Sequence, residues 1–205
     1  MLAYDQVSDY TRLQHTLRRT KRLIGWRNQA TLPSGSGPVW ECRVVAMQAQ
    51  VELRHAICED DFAQVRALAE RYGAWDVDLT TRLGIPAEDL LSFQHDYRVE
   101  VLRARYGGPP SIMLLVRDAG LPAACGAVDL SHPPHAEIKT LYVAPEARGR
   151  GLGSQILQRL LAEAQAQGFA DVRLETVSFM TDAIRLYRSF GFAECRAYYE
   201  IPASL

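Results

Sequence analysis

A helix with a glycine-rich, arginine-containing start constrains this chain more than any other feature. Residues 144–161 read APEARGRGLGSQILQRLL. Leucine and isoleucine recur at helical spacing after Gly151, and Gly168 is a suitable helix end. A helix start has four backbone N–H groups without intrahelical partners and carries partial positive charge. The segment therefore predicts a helix whose first turn can receive an anion.

The residues at this helix start, which we name the glycine-arginine loop, are Arg148, Gly149, Arg150, Gly151, Leu152 and Gly153. The glycines leave the backbone amides open to phosphate oxygens, and the arginines add forked cationic contacts. One glycine is enough for an ordinary turn and helix start, so three of them indicate the close approach of a ligand. A pyrophosphate fits this loop.

Two other nucleotide-binding signatures fit the loop poorly. A Walker loop needs a lysine followed by Ser or Thr after its second glycine, and Gly153-Ser154-Gln155 lacks that lysine. A dinucleotide-binding fold places GxGxxG directly after its first strand, with an acidic residue about 20 positions further on. Glu175 is suitably placed for that residue, but the spacing here is GxGxG.

Hydrophobic periodicity gives the order of the elements. Alternation between turn residues predicts strands over 51–57, 111–117, 123–130, 136–143, 171–176 and 192–201. Helical spacing predicts helices over 62–72, 86–106 and 179–190, in addition to the one after Gly151. Adjacency makes the strands at 111–143 an antiparallel meander, and a right-handed crossover makes the strands at 136–143 and 171–176 parallel. The predicted class is α+β, with helices against a mixed sheet.

Composition narrows the class of protein. With 48% apolar residues, 23% charged residues and a net charge of -1, the chain reads as globular, and the charge balance does not indicate a nucleic-acid partner. No stretch approaches the length of a membrane span. The four cysteines lie far apart and form no CxxC pair, so they indicate neither a zinc site nor a disulfide scaffold. We expect a cytoplasmic protein.

The first 46 residues differ from the rest of the chain. They contain seven basic and three acidic residues, and the PSGSGP run at 33–38 interrupts any regular element. We interpret residues 1–46 as a separate basic arm that could be disordered, or as leader sequence before a start near Met47. Residues 47–205 then form the domain that carries the function.

Two segments resemble a known family. Residues 141–153, LYVAPEARGRGLG, and residues 183–192, AIRLYRSFGF, are similar to the GCN5-related N-acetyltransferases (GNAT). The loop matches the R/Q-x-x-G-x-G/A motif that binds acetyl-coenzyme A in that family, and the resemblance covers roughly residues 51–201. It implies a mostly antiparallel sheet with a splayed parallel strand pair, and acetyl-CoA as the co-substrate without a metal.

The resemblance also implies which residues contact acetyl-CoA. Main-chain groups of Leu141, Tyr142 and Val143 would hold the pantetheine arm and the thioester. The glycine-arginine loop and Ser154, which follows it, would receive the pyrophosphate.

Two side chains are candidates for proton transfer. Tyr187 matches the tyrosine that protonates the coenzyme A thiolate in many family members, and a phenol with a pKa of about 10 is a competent donor. The alternative is a core aromatic, because Ile184, Tyr187 and Phe190 share one helical face. Glu137 could take the proton of the amine through water. Its alternative is an exposed carboxylate paired with Lys139.

Other residues are secondary candidates. Glu175 is either a rival base or a structural carboxylate. His132 and His135 form an HxxH pair in a proline-rich turn rather than on a helix, which does not favour a metal site. Many family members carry an asparagine after the last parallel strand, and only Ser178 or Thr181 could replace it here.

The predicted activity is direct transfer of acetyl from acetyl-CoA to a primary amine of a small molecule, such as an amino acid or an antibiotic-like amine. The acceptor could instead be a protein lysine or N-terminus, or the domain could bind acyl-CoA without catalysis while the basic arm meets a partner. Arg98, Arg103 and Arg105 would suit a carboxylate-bearing amine, and Asp96 or Glu100 a polycation. All five equally fit a solvated helix face. A homodimer is common in the resembled family.

Overall fold

The computed structural model describes residues 10–16, 51–82, 96–177 and 180–195. The strands are β1 Tyr10–Thr16, β2 Val51–His55, β3 Ile112–Asp118, β4 Leu121–Asp129, β5 His135–Val143, β6 Asp171–Val177 and β7 Ala193–Glu194. The helices are α1 Glu59–Arg82, α2 Val99–Tyr106, α3 Leu152–Ala166 and α4 Thr181–Ser189, and a short 3-10 turn covers Pro145–Ala147. The strands form one sheet in the order β2-β3-β4-β5-β6-β1-β7. The predicted α+β class is confirmed.

The central strands follow the predicted pairing. Strands β3, β4 and β5 form an antiparallel meander, and β5 and β6 are parallel. The parallel pairing covers only His135–Ile138 and Asp171–Leu174, although the strands continue to Val143 and Val177. Among the described residues, β5 and β6 therefore separate toward their carboxyl ends. We name the opening between them the β5–β6 gap.

Helix α3 lies close against the sheet because β4 carries a glycine at the crossing point. A Cβ atom on Gly126 would stand 2.4 Å from Ile156 Cγ2 and 3.3 Å from Leu160 Cδ1. Both of those side chains are fully buried. The apolar periodicity of α3 and the small residue beneath it thus set the position of the helix start that the sequence singled out.

The start of α1 is fixed by a buried carboxylate. Asp61 is fully buried and accepts hydrogen bonds from the backbone N–H groups of Ile57 and Cys58. The guanidinium groups of Arg54 on β2 and Arg117 on β3 also contact it. Burial alone would raise the pKa of the Asp61 carboxyl, but these hydrogen bonds outweigh burial and lower it. The carboxylate therefore stays charged and joins α1 to the sheet.

The domain boundary predicted before Met47 does not separate all of the first 46 residues from the fold. Strand β1 lies inside the sheet, antiparallel to both β6 and β7. Leu13 is fully buried opposite Leu174. A strand that pairs on both edges and buries a leucine belongs to the domain core, whatever the composition around it. The remainder of residues 1–46 lies outside the described residues.

The predicted second helix is not continuous through residues 96–98. Helix α2 starts at Val99, and the preceding residues 96–98 are not helical. The Asp96 side chain accepts a hydrogen bond of 3.0 Å from the backbone N–H of Arg98. This local bond competes with helix formation and marks a turn before the helix. The predicted portion at 86–95 lies outside the described residues.

The ends of the domain agree with the prediction as far as they are described. Helix α4 is shorter than predicted, and Gly191 follows it with a φ of 85°. The final strand is described only over Ala193–Glu194, so the predicted continuation to Ile201 lies outside the described residues. Across the described ranges, no helix is both long and apolar enough to cross a bilayer.

Candidate active site

The three glycines of the glycine-arginine loop have separate physical roles. Gly149 and Gly151 have φ values of 75° and 76°, a backbone region that disfavours residues with a side chain. A Cβ atom on either would meet no heavy atom within 4 Å, so the loop faces open space. A Cβ atom on Gly153 would instead stand 3.3 Å from Leu186 and 3.7 Å from Val143. Two glycines thus shape the turn, and the third allows α3, α4 and β5 to approach one another.

The two arginines of the loop already have partners. The Arg148 Nε donates to the Val143 carbonyl over 3.1 Å, and its guanidinium carbon lies 5.6 Å from the Trp75 ring centroid. Arg150 forms an ion pair with Asp118 through both of its terminal nitrogens. That bond lowers the pKa of the Asp118 carboxyl. Arg148 therefore stays at the edge of the loop, whereas Arg150 ties the loop to the β3–β4 turn.

The predicted main-chain contacts lie along the β5–β6 gap. Leu141, Tyr142 and Val143 pair with β4 on one side, and the parallel ladder on the other side ends at Ile138. Tyr142 is buried, with its ring centroid 5.5 Å from that of Tyr72 on α1. The backbone of these residues is therefore held on one edge and faces the gap on the other. The same strand leads along the chain into the glycine-arginine loop, and we name the gap and the loop together the candidate groove.

Tyr187 lies on α4 directly after Leu186, whose side chain approaches Gly153. Tyr187 is 6% exposed, and its ring centroid lies 5.8 Å from that of Phe192. Burial raises the pKa of Tyr187 to about 12. No described residue hydrogen-bonds to its hydroxyl. The phenol thus keeps its proton at neutral pH and belongs to the core, which is compatible with both interpretations made from the sequence.

Glu137 lies on β5 at the closed end of the gap. Its Oε2 atom is 2.6 Å from the Lys139 Nζ, which is the pairing that the alternative interpretation predicted. In the sheet register, Glu137 stands between Asp129 on β4 and Arg173 on β6. Directly opposed residues in a sheet project from the same face. Glu137 is therefore the middle of a row of charged side chains.

A polar cluster that the sequence did not reveal surrounds Asp129. Its carboxylate accepts hydrogen bonds from Ser111 Oγ at 3.1 Å, from the Ser131 backbone at 3.0 Å and from Arg105 at 2.5 Å. Burial alone would raise the pKa of the Asp129 carboxyl, but the bonds from Arg105 and Ser131 outweigh burial and hold it well below its usual range. Helix α2 thus lies on the same face of the sheet as Glu137.

The secondary candidates do not come together as one site. The His135 Nδ1 lies 2.8 Å from both Asp171 carboxylate oxygens, and its Nε2 lies 3.0 Å from an Arg173 nitrogen. Because arginine only donates, Nε2 must accept, and the proton is therefore assigned to Nδ1. His132 is exposed in the preceding turn.

Glu175 and Thr181 lie near the open end of the gap. Glu175 stands opposite Arg12 in the register of β6 and β1, and Thr181 is the exposed first residue of α4. Ser178 lies outside the described residues. The group that would replace the family asparagine stays a prediction.

Comparison with known proteins defines the class to which this fold and groove belong. The sequence profile described as the Acetyltransferase (GNAT) family matches residues 82–192, which is more than half of the chain. The chain belongs to this family, and the resemblance noted in the sequence is confirmed. The members of this family use acetyl-CoA.

Individual relatives agree with this assignment. An uncharacterized N-acetyltransferase of Schizosaccharomyces pombe is 38% identical over 100 residues, which are 48% of this chain and 61% of that protein. An IAA acetyltransferase of Azospirillum brasilense is 38% identical over 87 residues, which are 42% of this chain and 57% of that protein. The matched segments thus span less than two thirds of either relative.

A solved structure shares the fold. The crystal structure of a protein described as a predicted acetyltransferase from Clostridium acetobutylicum, with acetyl-CoA, superposes with a TM-score of 0.56 at 17% identity. The match covers 75% of this chain and 96% of that one.

Proposed function

We propose that this protein is an N-acetyltransferase that transfers acetyl from acetyl-CoA directly to a primary amine, with a small molecule as the acceptor. One observation carries the proposal above all others. Strand β5, which borders the β5–β6 gap, is followed along the chain by a helix start whose glycines, Gly149 and Gly151, face open space. Such a groove offers backbone amides to a pantetheine arm at one end and to a pyrophosphate at the other.

The residues present fit acetyl-CoA. The first-turn amides of α3, from Gly151 to Ser154, would hold the pyrophosphate, with Arg148 at the edge of the groove. The main chain of Leu141 and Val143 would hold the pantetheine arm along β5. Arg150 acts by holding the loop in place, because its guanidinium is paired with Asp118. When bound, acetyl-CoA supplies a thioester that is activated toward attack by an amine.

Proton handling falls to two side chains. An acceptor amine must lose a proton before it attacks, and the Glu137 carboxylate is a suitable receiver through water. The Lys139 Nζ lies 2.6 Å from the Glu137 Oε2 and holds the carboxylate at this point of β5. Burial raises the pKa of Tyr187 to about 12, so the phenol keeps its proton at neutral pH and is a weaker acid than an ordinary tyrosine. We assign it the donation to the departing thiolate on its match to the family tyrosine. Each role requires the side chain only to hold or move one proton.

A second function is compatible with the same geometry. Glu137 is engaged by Lys139 and Tyr187 is buried, which is also what a domain that binds acyl-CoA without turnover would show. Thiol release from acetyl-CoA in the presence of a panel of primary amines separates the two functions. Amine-dependent release supports the transferase, and binding of acetyl-CoA without release supports the binding domain.

Two variants test the catalytic roles. We expect Glu137→Gln and Tyr187→Phe to lower kcat by about 100-fold or more, the size of a general acid or base contribution, while acetyl-CoA still binds. Exchange of the neighbouring exposed Arg188 for Gln is the matched control for α4. Unchanged kcat in both variants would refute the assigned roles.

A further inference from the structure

A row of polar side chains crosses the sheet beside the proposed acceptor position. Asp129 on β4, Glu137 on β5 and Arg173 on β6 are direct partners in the register, and Gln14 on β1 continues the row. Opposed residues project from one face with Cβ atoms about 5 Å apart. The contact between Arg105 and Asp129 places the end of α2 over this face. The end of α2 therefore lies next to the row.

Arg105 is held against this face of the sheet, but only part of its guanidinium has a hydrogen-bond partner among the described residues. Its Nη2 donates to Asp129 over 2.5 Å, and its guanidinium carbon lies 5.4 Å from the Tyr106 ring centroid. A guanidinium has five N–H donors. Among the described residues, its hydrogen bonds use Nη2 alone. Since the side chain is 44% exposed, its remaining nitrogens can receive a ligand.

The carboxylate that holds Arg105 is itself immobilised. Asp129 accepts from Ser111 and from the Ser131 backbone in addition to Arg105, and its side chain is only 6% exposed. The guanidinium is therefore anchored to a fixed point on the sheet rather than projecting freely from the helix. A group held in this way binds a planar anion with less loss of side-chain freedom.

We propose that the acceptor is a primary amine that also carries a carboxylate, and that Arg105 binds that carboxylate while the amine lies at Glu137. This inference rests on the proposed acetyltransferase function and names its substrate class. Asp129 and Glu137 are direct partners in the register, so the carboxylate that holds the guanidinium is the cross-strand neighbour of Glu137. The two groups of the acceptor are thus separated by only a few bonds, as in an amino acid.

The local charge favours a carboxylate over a phosphate. Arg105 already shares its charge with Asp129, and Glu137 lies next to that pair. A singly charged anion is better balanced in this setting than a doubly charged one. The shared chemistry is that of an oxyanion on an arginine, and O-phosphoethanolamine distinguishes a phosphate acceptor in the test.

The other two arginines of this region lack the same placement. Arg98 pairs with Asp96 through a forked contact and is 65% exposed. Arg103 is 60% exposed, and its nearest described carboxylate, on Glu59, is 4.0 Å away. Neither contacts the Asp129 cluster. Arg103 therefore provides a matched control on the same helix.

The test uses the full chain with acetyl-CoA and measures thiol release for pairs of amines that differ by one carboxylate. Phenylalanine is compared with phenethylamine, and lysine with cadaverine. We expect kcat/KM to be at least about 10-fold higher for the carboxylate-bearing member of each pair, because a hydrogen-bonded ion contact contributes that much. O-phosphoethanolamine is expected to be a poorer acceptor than the amino acids.

Variants connect this preference to one residue. We expect Arg105→Gln to lower kcat/KM for the amino acids by about 10- to 100-fold and to leave that of the decarboxylated amines unchanged. Arg105→Lys should recover part of the preference, and Arg103→Gln should retain all of it. Acetyl-CoA affinity, measured separately by calorimetry, should not change in any of the three.

Each outcome bears on a distinct statement. Equal or faster acetylation of the decarboxylated amines by the parent protein overturns the inference and leaves the proposed activity intact. A preference for carboxylates that survives in Arg105→Gln overturns the role of that residue. Preference for O-phosphoethanolamine overturns the choice of a carboxylate. Release of no thiol with any amine, while acetyl-CoA binds, overturns the proposed activity and the inference with it.

Discussion

Replacement of the buried leucine in β1 tests whether the amino-terminal strand is part of the domain. Leu13 is 0% exposed and lies opposite Leu174 of β6, the strand that forms one wall of the β5–β6 gap. Leu13→Ala removes three carbon atoms from this contact without changing charge. If β1 is a true element of the sheet, the variant must lose both apolar burial and packing.

The expected magnitude follows from complete burial. Leu→Ala substitutions in cores cost about 2–5 kcal/mol, and a value of about 3 kcal/mol suits a strand near the edge of a sheet. In a chain of this size, each kcal/mol lowers the melting temperature by about 2–4 °C, so we expect a decrease of roughly 6–12 °C. Because β1 supports β6, acetyl-CoA affinity should weaken as well.

The assay is urea unfolding together with a calorimetric melt, and Leu121 provides the matched control. Leu121 is 71% exposed at the turn between β3 and β4, so Leu121→Ala should change stability by no more than about 0.5 kcal/mol. Equal stability of Leu13→Ala and Leu121→Ala would refute the placement of β1 in the sheet. Residues 1–46 would then be a separate arm, as their composition alone predicts.

Two further predictions concern stability. Gly126→Ala should lower the free energy of unfolding in urea by about 1–3 kcal/mol, because the new Cβ would stand 2.4 Å from Ile156. Gly108→Ala is the control and should be neutral, because a Cβ there would meet no heavy atom within 4 Å. Equal values for the two variants would contradict the close approach of α3. Asp129→Asn should destabilise the protein at neutral pH. Since the folded pKa of Asp129 is lowered, its contribution is present above about pH 4 and is lost as the pH falls further, so the gap between parent and variant should narrow in acid. A gap that stays constant down to pH 3 would contradict this cause.

The sequence predicts the strand and helix on either side of the glycine-arginine loop well because local features define them. Glycine spacing, helical periodicity and the strand before the loop all lie within residues 136–166, so one window of sequence contains them. Even there, the sequence does not distinguish the roles of the glycines. Gly153 is required by its distance to Leu186, which lies 33 positions further along the chain.

The remaining features depend on contacts between distant positions. Strand β1 pairs Leu13 with Leu174, and no periodicity within residues 1–46 reveals that partner. The Arg105 and Asp129 pair joins a helix to a strand end 24 positions away. In both cases composition alone predicts exposure, since a basic segment and a charged helix usually face solvent. Only the register of the sheet brings these residues to the site.

Thermal unfolding with and without acetyl-CoA tests the central claim most directly. Three proteins are compared: the parent, Gly151→Asp and Gly168→Asp. Gly151 and Gly168 both have positive φ and open space at the Cβ position, but only Gly151 lies in the glycine-arginine loop. Gly151→Asp places a carboxylate where a phosphate should bind, and Gly168→Asp imposes a similar backbone strain at the far end of α3.

At about 100 times its dissociation constant, acetyl-CoA should stabilise the parent by about 2.7 kcal/mol and raise its melting temperature by roughly 5–11 °C. We expect the same rise in Gly168→Asp and none in Gly151→Asp. No rise in the parent, or an equal rise in Gly151→Asp, would contradict the placement of acetyl-CoA at this loop.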